Sequence, residues 1–295
     1  MYELCSAASS AYYIDCPSKI GLVTEGKTVY AIDSGSDKDT AKKVLKTILA
    51  QGWELAAIFN THSHADHIGG NAYLQEQTGC KIYANGMERC FTEFPLLEPT
   101  FLYGGFPPES LRYKFLLARQ SRPEALSAES LPACLTSLPL PGHCGDMVGF
   151  RTDEGIVYLA DCLAAEETLE KYGTVFLWDV AAYLQTLEQV KTMDGALFIP
   201  SHAAPTENIA PLAQFNIDAT LRTAEQIVGC CAEPCQFEAI LKQLFDFYGN
   251  CMNPTQYVLV GSTLRSYLTW LQNIGKVDCV FEENRMLWVA KPEKL

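Results

Sequence analysis

The chain has five histidines, and three of them fall within six residues, in His62-Ser63-His64-Ala65-Asp66-His67. A lone histidine is ordinarily a satisfied core or surface side chain. Three of them with an aspartate in one short loop are different: neutral imidazoles and a carboxylate are the ligands that a borderline divalent ion such as zinc prefers. His62 and His64, two apart in extended chain, also point the same way. The loop therefore reads as a metal site. The other two histidines each close an apolar run, His143 in Leu138-Pro139-Leu140-Pro141-Gly142-His143 and His202 in Leu197-Phe198-Ile199-Pro200-Ser201-His202, and Asp161 follows another, Val157-Tyr158-Leu159-Ala160. Strand ends on one edge of an α/β sheet converge on a common crevice, so three separate ends can each deliver a ligand to the first loop.

The elements that must hold these residues follow from periodicity. Gly21 to Ile32 has two apolar runs around Glu25-Gly26-Lys27, the pattern of a hairpin, and Asp33-Ser34-Gly35 follows as a loop. Asp39 or Thr40 can cap a helix in which Ala41, Val44, Leu45, Ile48 and Leu49 share a face, with Gly52 at its C-terminal end. Leu55 to Asn60 reads as a buried strand running into the histidine loop, Asn71 to Gly79 as a helix, and residues 80 to 84, Ile156 to Ala160 and Ala196 to Pro200 as further short strands. Phe91 to Pro108 is dense in Phe, Tyr and Pro without a sustained period and reads as an irregular aromatic segment. It can be a lid whose pocket wall includes Phe101, Tyr103 and Phe106, or a surface or oligomer contact that would make a homodimer. Beyond Pro205 the pattern turns helical, with Phe237 to Tyr248 and Val260 to Leu271 at helical spacing, then a hairpin through Glu282-Glu283-Asn284-Arg285. Helix, helix, hairpin is similar to a winged-helix module. The expected division is a domain over 1–225 and a C-terminal region over 226–295.

Composition narrows the partners. With 48% hydrophobic and 19% charged residues in 295, the chain is an ordinary globular protein of one large or two smaller domains. Against 22 Lys plus Arg stand 35 Asp plus Glu, a net charge of −13 that repels polyphosphate and anionic lipid, so nucleic acid and membrane are not expected partners and a small molecule is. The opening residues lack a basic start and an apolar stretch, and no run approaches the ~18 apolar residues of a membrane span, which points to the cytoplasm. The twelve cysteines are scattered and read as reduced thiols; Cys230, Cys231 and Cys235 have no metal-knuckle spacing and read as a buried helix end.

Taken together, His62-x-His64-x-Asp66-His67 followed by His143, Asp161 and His202 resembles the metallo-β-lactamase superfamily of binuclear metallohydrolases, its glyoxalase II-like branch in particular, over about residues 20 to 205. Asp33 in Ile32-Asp33-Ser34-Gly35 looks like that family's first motif. The resemblance implies an α/β fold, a four-layer αββα sandwich, with a small helical, winged-helix-like C-terminal region. It implies one divalent ion held by His62, His64 and His143, a second held by Asp66, His67 and His202, and Asp161 bridging. Zinc is favoured, with manganese or iron open. Asp33 would orient the ligands from behind. Cys144 and Cys162, each next to a ligand, are expected to point away as small fillers. Two ions sharing an oxygen bring the pKa of bound water from ~15.7 towards ~7, so a bridging hydroxide is the implied nucleophile and Asp66 the catalytic residue that holds and relays its proton. The implied substrate is a small acyl molecule, a thioester or lactone. Two other readings share the ligand pattern, a mononuclear iron persulfide dioxygenase and a phosphodiesterase or nuclease. A purely structural metal is disfavoured, because a complete binuclear set is more than that role requires.

Overall fold

The computed structural model describes residues 2–292; Met1 and residues 293–295, the outer ends of the two expected regions, lie outside them. Strands β1 (Glu3–Ser6), β2 (Ala11–Asp15), β3 (Ile20–Glu25), β4 (Thr28–Ile32), β5 (Glu54–Phe59), β6 (Lys81–Ala84) and β7 (Pro123–Ala125) form one sheet in that order. It is antiparallel as far as β4 and parallel from there on. Strands β8 (Leu135–Pro139), β9 (Val148–Thr152), β10 (Ile156–Ala160) and β11 (Leu197–Pro200) form a second sheet in the order β11-β10-β9-β8, with β10 and β11 parallel. A hairpin of β12 (Val277–Glu282) and β13 (Arg285–Ala290) stands apart.

The helices are α1 (Lys38–Ala50), α2 (Ala65–Ile68), α3 (Asn71–Thr78), α4 (Gly86–Glu93) and α5 (Leu97–Tyr103), then α6 (Glu166–Tyr172), α7 (Val180–Lys191), α8 (Ala210–Cys230), α9 (Phe237–Tyr248) and α10 (Pro254–Asn273). Side chains alternate between the faces of a strand, and the alternation sorts them into layers. Ile156 and Tyr158 of β10 join Ile32, Phe59 and Phe150 between the sheets. Val157 and Leu159 turn outward to Tyr183, Leu187, Ile217, Leu241, Leu264 and Leu268 of α7 to α10. Val29, Ala31, Ile58 and Ile82 turn outward on the other side, against Ala41, Val44 and Ile48 of α1 and Leu74 of α3. The result is the helix, sheet, sheet, helix sandwich that the alternating elements permit. Parallel pairing brings the C-terminal ends of β4 and β5 side by side, and likewise those of β10 and β11, so the residues that follow them share an edge.

Two local expectations are corrected, and two strands come in addition. Helix α1 is capped by Asp37, whose carboxylate accepts from the N–H groups of Asp39 and Thr40, rather than by Asp39 or Thr40. The segment Phe91 to Pro108 is largely helical: α4 and α5 have eight and seven residues, too few to establish a period, and Gly104 closes α5 in the left-handed conformation at φ +76°. The hairpin at residues 20–32 is preceded by two more strands, which the serine-rich opening does not announce. Residues 225 and 226 both lie inside α8, and one apolar cluster runs from Leu140 through Ile227 to Trp288. The C-terminal helices thus continue the outer layer of the second sheet. The physical reason is that the apolar spacing of α8 carries on through Ala224 and Ile227 without a break.

The cap gives a direct test. Its hydrogen bond from the Thr40 N–H is the main cause that brings Asp37 down to about 2, with Lys114 assisting against burial. Because the folded value lies below the unfolded one, the contribution is complete above pH ~4 and disappears as pH falls through 2. Asp37→Ala is expected to cost ~1 kcal/mol at pH 7. Urea unfolding of the two proteins should show that gap closing below pH 3.

Candidate metal centre

Asp33 leaves β4 at φ +65°, a left-handed turn that aims its carboxylate back under the histidine loop. Oδ1 accepts from the Thr61 N–H, and Oδ2 accepts from Thr61 Oγ1 and from His67 Nδ1, all at 2.8 Å. Thr61 Oγ1, having given its proton to Asp33, accepts from His62 Nδ1 at 2.9 Å. His143 Nδ1 donates to the Phe176 carbonyl and His202 Nδ1 to the Pro17 carbonyl, both at 2.8 Å. In four of the five histidines the Nδ1 proton is therefore spoken for, which leaves the Nε2 lone pair as the metal-facing atom. His64 is turned the other way, with Nδ1 inward and Nε2 facing Cys144 Sγ at 3.5 Å and Glu98 Oε1 at 3.6 Å.

These atoms form two groups. His62 Nε2 lies 3.2 Å from His64 Nδ1, which lies 3.0 Å from His143 Nε2. Nitrogens around a tetrahedral zinc at 2.0–2.1 Å sit roughly 3.3 Å apart, so the spacing is that of ligands. In the second group Asp66 Oδ2 lies 3.2 Å from His202 Nε2 and 3.5 Å from His67 Nε2. Asp161 stands between them: Oδ2 is 3.2 Å from His202, 3.7 Å from His143 and 3.9 Å from His62, and Oδ1 is 3.2 Å from His67. Despite that last approach, Oδ1 is buried without a hydrogen-bond donor in bonding geometry. A buried carboxylate oxygen so placed calls for a cation. The structure thus gathers all seven expected residues, and the donor set fits divalent metal.

Electrostatics agree. Burial and neighbouring imidazoles push His62 far down and His64 to about 3, while burial lowers His143, so the first group offers neutral nitrogens. In the second group Asp161 draws His202 up to about 10, and burial of His67 is outweighed by Asp161, Asp66 and Asp33, which hold it well above its usual range. Burial works against ionisation of Asp66, yet His67 and His202 hold it at about 2. Here positive charge is wanted, and protons supply it where an ion could.

Sequence reasoning missed several neighbours. Cys144 is buried in the apolar core as expected of a filler, but it does not point away: residues 141–146 form turns, where strand alternation fails, and its sulfur lies 3.5 Å from His64 Nε2. Burial, with Glu88 and Glu98 nearby, keeps it a thiol. Cys162 is the buried filler expected. Glu88 accepts from the Ser63 N–H and Oγ, and Glu98 is pushed up to about 8 by burial, then by Glu88 and Asp66. An acid isolated in the apolar run Phe94-Pro95-Leu96-Leu97-Glu98 was the available signal. Of the proposed lid residues, Phe101 stacks on Trp178 beside His64, whereas Phe106 is exposed under the Arg112 guanidinium.

Backbone strain and one buried amide hold Asp161. Ala160 adopts φ +52°, unfavourable for a residue with a Cβ, and its carbonyl is pinned by the Ser201 N–H at 2.9 Å. Three residues beyond Asp161, Ala164 is gripped by Asn216, whose Oδ1 accepts from the Ala164 N–H and from the Tyr183 hydroxyl and whose Nδ2 donates to the carbonyls of Ala164 and Leu212.

Asp33→Asn tests the support beneath His67. Asparagine tolerates the left-handed turn but puts an amide donor where Oδ2 accepted two protons. Zinc titration is expected to show ~10–100-fold weaker binding, and unchanged affinity would remove Asp33 from its orienting role.

Two facing sheets with helices outside, and a histidine and aspartate donor cluster at one edge, define a metal-binding αββα protein. Within that class the chain belongs to the metallo-beta-lactamase superfamily, whose family model matches residues 13–202. A hydroxyacylglutathione hydrolase from Methylococcus capsulatus is 42% identical over 53 residues, 18% of this chain and 21% of that protein. An atrochrysone carboxyl ACP thioesterase from Aspergillus fumigatus is 22% identical over 198 residues, 67% of this chain and 54% of that protein. The chain therefore spans less than two thirds of either relative. A beta-lactamase domain protein from Burkholderia ambifaria superposes with TM-score 0.74 over 98% of this chain and 94% of its own, at 16% identity, a likeness of fold that takes in the C-terminal helices. No helix among the described residues is long and apolar enough to cross a membrane.

Proposed function

We propose that the chain is a divalent-metal-dependent hydrolase of a small acyl substrate, a thioester or a lactone-like ester. The observation that carries the reading is Asp161, placed between two complete donor groups. His62, His64 and His143 would hold one ion, Asp66, His67 and His202 the other, and Asp161 both. Zinc suits the neutral imidazoles, and manganese or iron are accepted by the same set. Bound ions supply an ionised water near neutral pH and a Lewis acid for the substrate oxygen. The chain's own residues fix the arrangement: Asp33 and Thr61 set the tautomers of His62 and His67, and the Phe176 and Pro17 carbonyls set those of His143 and His202. Asp66, a third exposed and held ionised by His67 and His202, reaches solvent from the second donor group and would orient a reacting water there.

Two relatives are by name a hydroxyacylglutathione hydrolase and an ACP thioesterase, which supports an acyl thioester. The net charge of −13 speaks against long polyanions, and the free cysteines fit a reducing compartment, the cytoplasm. A mononuclear iron oxygenase needs one donor group, so the second favours hydrolysis. Elemental analysis of protein purified without chelator, beside a thioester panel, tests the reading. Two divalent ions per chain are expected, with cleavage lost to EDTA and restored by zinc. One iron per chain and oxygen uptake on a persulfide would replace it.

A further inference from the structure

A cavity of about 750 Å³ opens between α5, the turn carrying Trp178 and Asp179, and α10, a volume within the range of small-molecule sites. Phe101 and Trp178, stacked with ring centroids 4.9 Å apart, line both this cavity and the small pocket that holds His64 and Glu98. The same stretch is tied to the donors: the Trp178 N–H is shared by the carbonyls of Gly142 and His143, and the Phe176 carbonyl accepts from His143 Nδ1. The cavity is one ring pair from the pocket behind His64, on its Nε2 side.

Its lining has a definite chemistry. Along α10, Ser262, Ser266, Thr269 and Asn273 follow one another at steps of four, three and four, one helix face of hydroxyl and amide groups, of which the Ser266 hydroxyl donates to the Trp178 carbonyl at 2.8 Å and is left as an acceptor. Against them stand the rings of Phe101, Tyr103 and Trp178. The charged residues in the lining, Asp179 and Arg265, are both engaged. Asp179 caps α7 by accepting from the Ala182 N–H, and Arg265 donates from Nη1 to the Gly261 carbonyl with its guanidinium 4.0 Å over the Phe237 ring. Hydroxyls and an amide opposite ring faces suit a ligand that carries amides or hydroxyls, has an apolar flank and is uncharged. A carboxylate-bearing ligand would approach a protein of net charge −13 and give up water for a single, already bonded guanidinium.

We propose that this cavity takes the non-reacting arm of the substrate and that the arm is a neutral, amide-bearing thiol handle, an inference that rests on the thioester reading above for the reacting end. Calorimetric titration of the metal-loaded and metal-free protein tests it, with pantetheine as the neutral handle and glutathione as the anionic one. Pantetheine is expected to bind both forms, at least ~10-fold more tightly than glutathione. Thr269→Phe, on the exposed rim, is expected to weaken that binding ~10-fold with the unfolding temperature unchanged, and Ser262→Phe, deeper in, should do the same. Glutathione binding as tightly as pantetheine, or pantetheine binding indifferent to both variants, overturns the inference. Binding as expected with no thioester cleaved by the loaded protein would leave the cavity assigned and sink the hydrolase reading instead.

Discussion

Asp161→Ala is expected to lower hydrolysis by on the order of 10³-fold or more, the scale on which a preorganised electrostatic partner acts, and to reduce bound metal below two ions per chain. The reasoning is geometric. Both donor groups reach this one carboxylate, so its loss removes an oxygen from each at once. Asp161→Glu should not restore activity, since the extra methylene would push the carboxylate into the histidine nitrogens that it meets at 3.2 to 3.9 Å. Paired metal analysis and kcat measurement decide the matter: a variant that keeps two ions and its rate would show that the two groups do not share Asp161.

The second large effect falls on stability. Asn216 is fully buried and uses all four of its hydrogen-bonding positions, so Asn216→Ala orphans the Ala164 N–H, its carbonyl and the Tyr183 hydroxyl together. At ~1–3 kcal/mol for each stranded buried group, partly relieved by relaxation, the loss should be about 3 kcal/mol in urea unfolding. Tyr183→Phe removes one partner and should cost ~1 kcal/mol. In the double variant the losses should fall short of their sum, because alanine at 216 has already stranded the hydroxyl; strict additivity would mean that the two side chains do not act as a network. The same variant tests whether the strained turn at Ala160 survives once its far end is released. Metal occupancy measured below the unfolding transition should fall with it.

The cluster was legible in the sequence because histidine is scarce, three of the five fall within six residues after β5, and His143 and His202 each follow an apolar run. The sandwich was legible for a similar reason: the strands are short apolar runs ended by polar residues, and the helices α1, α9 and α10 are long enough to show a face. What stayed hidden is shorter or depends on contacts across the chain. Strands β1 and β2 are mixed in polarity, with partly exposed residues on both sides, and β7 has three residues. Helices α4 and α5 are broken by Pro95. Cys144 was misjudged because strand alternation was extended into a turn, and Glu98 because a buried acid is recognised by what surrounds it. Residue 225 falls inside α8, where the apolar spacing runs on without a break.

Helix α10 has two sides with different obligations. Leu264, Tyr267, Leu268 and Leu271 are buried in the outer layer, whereas Ser262, Ser266, Thr269 and Asn273 face the cavity. Substitutions on a surface of the second kind usually shift stability by no more than about 0.5 kcal/mol, while those on the first carry the full cost of a disturbed core. A descendant of this chain can therefore exchange Ser262, Thr269 and Asn273 one at a time, and so change which molecules it accepts, while Ser266, whose hydroxyl donates to the Trp178 carbonyl, is held with the scaffold and the metal donors.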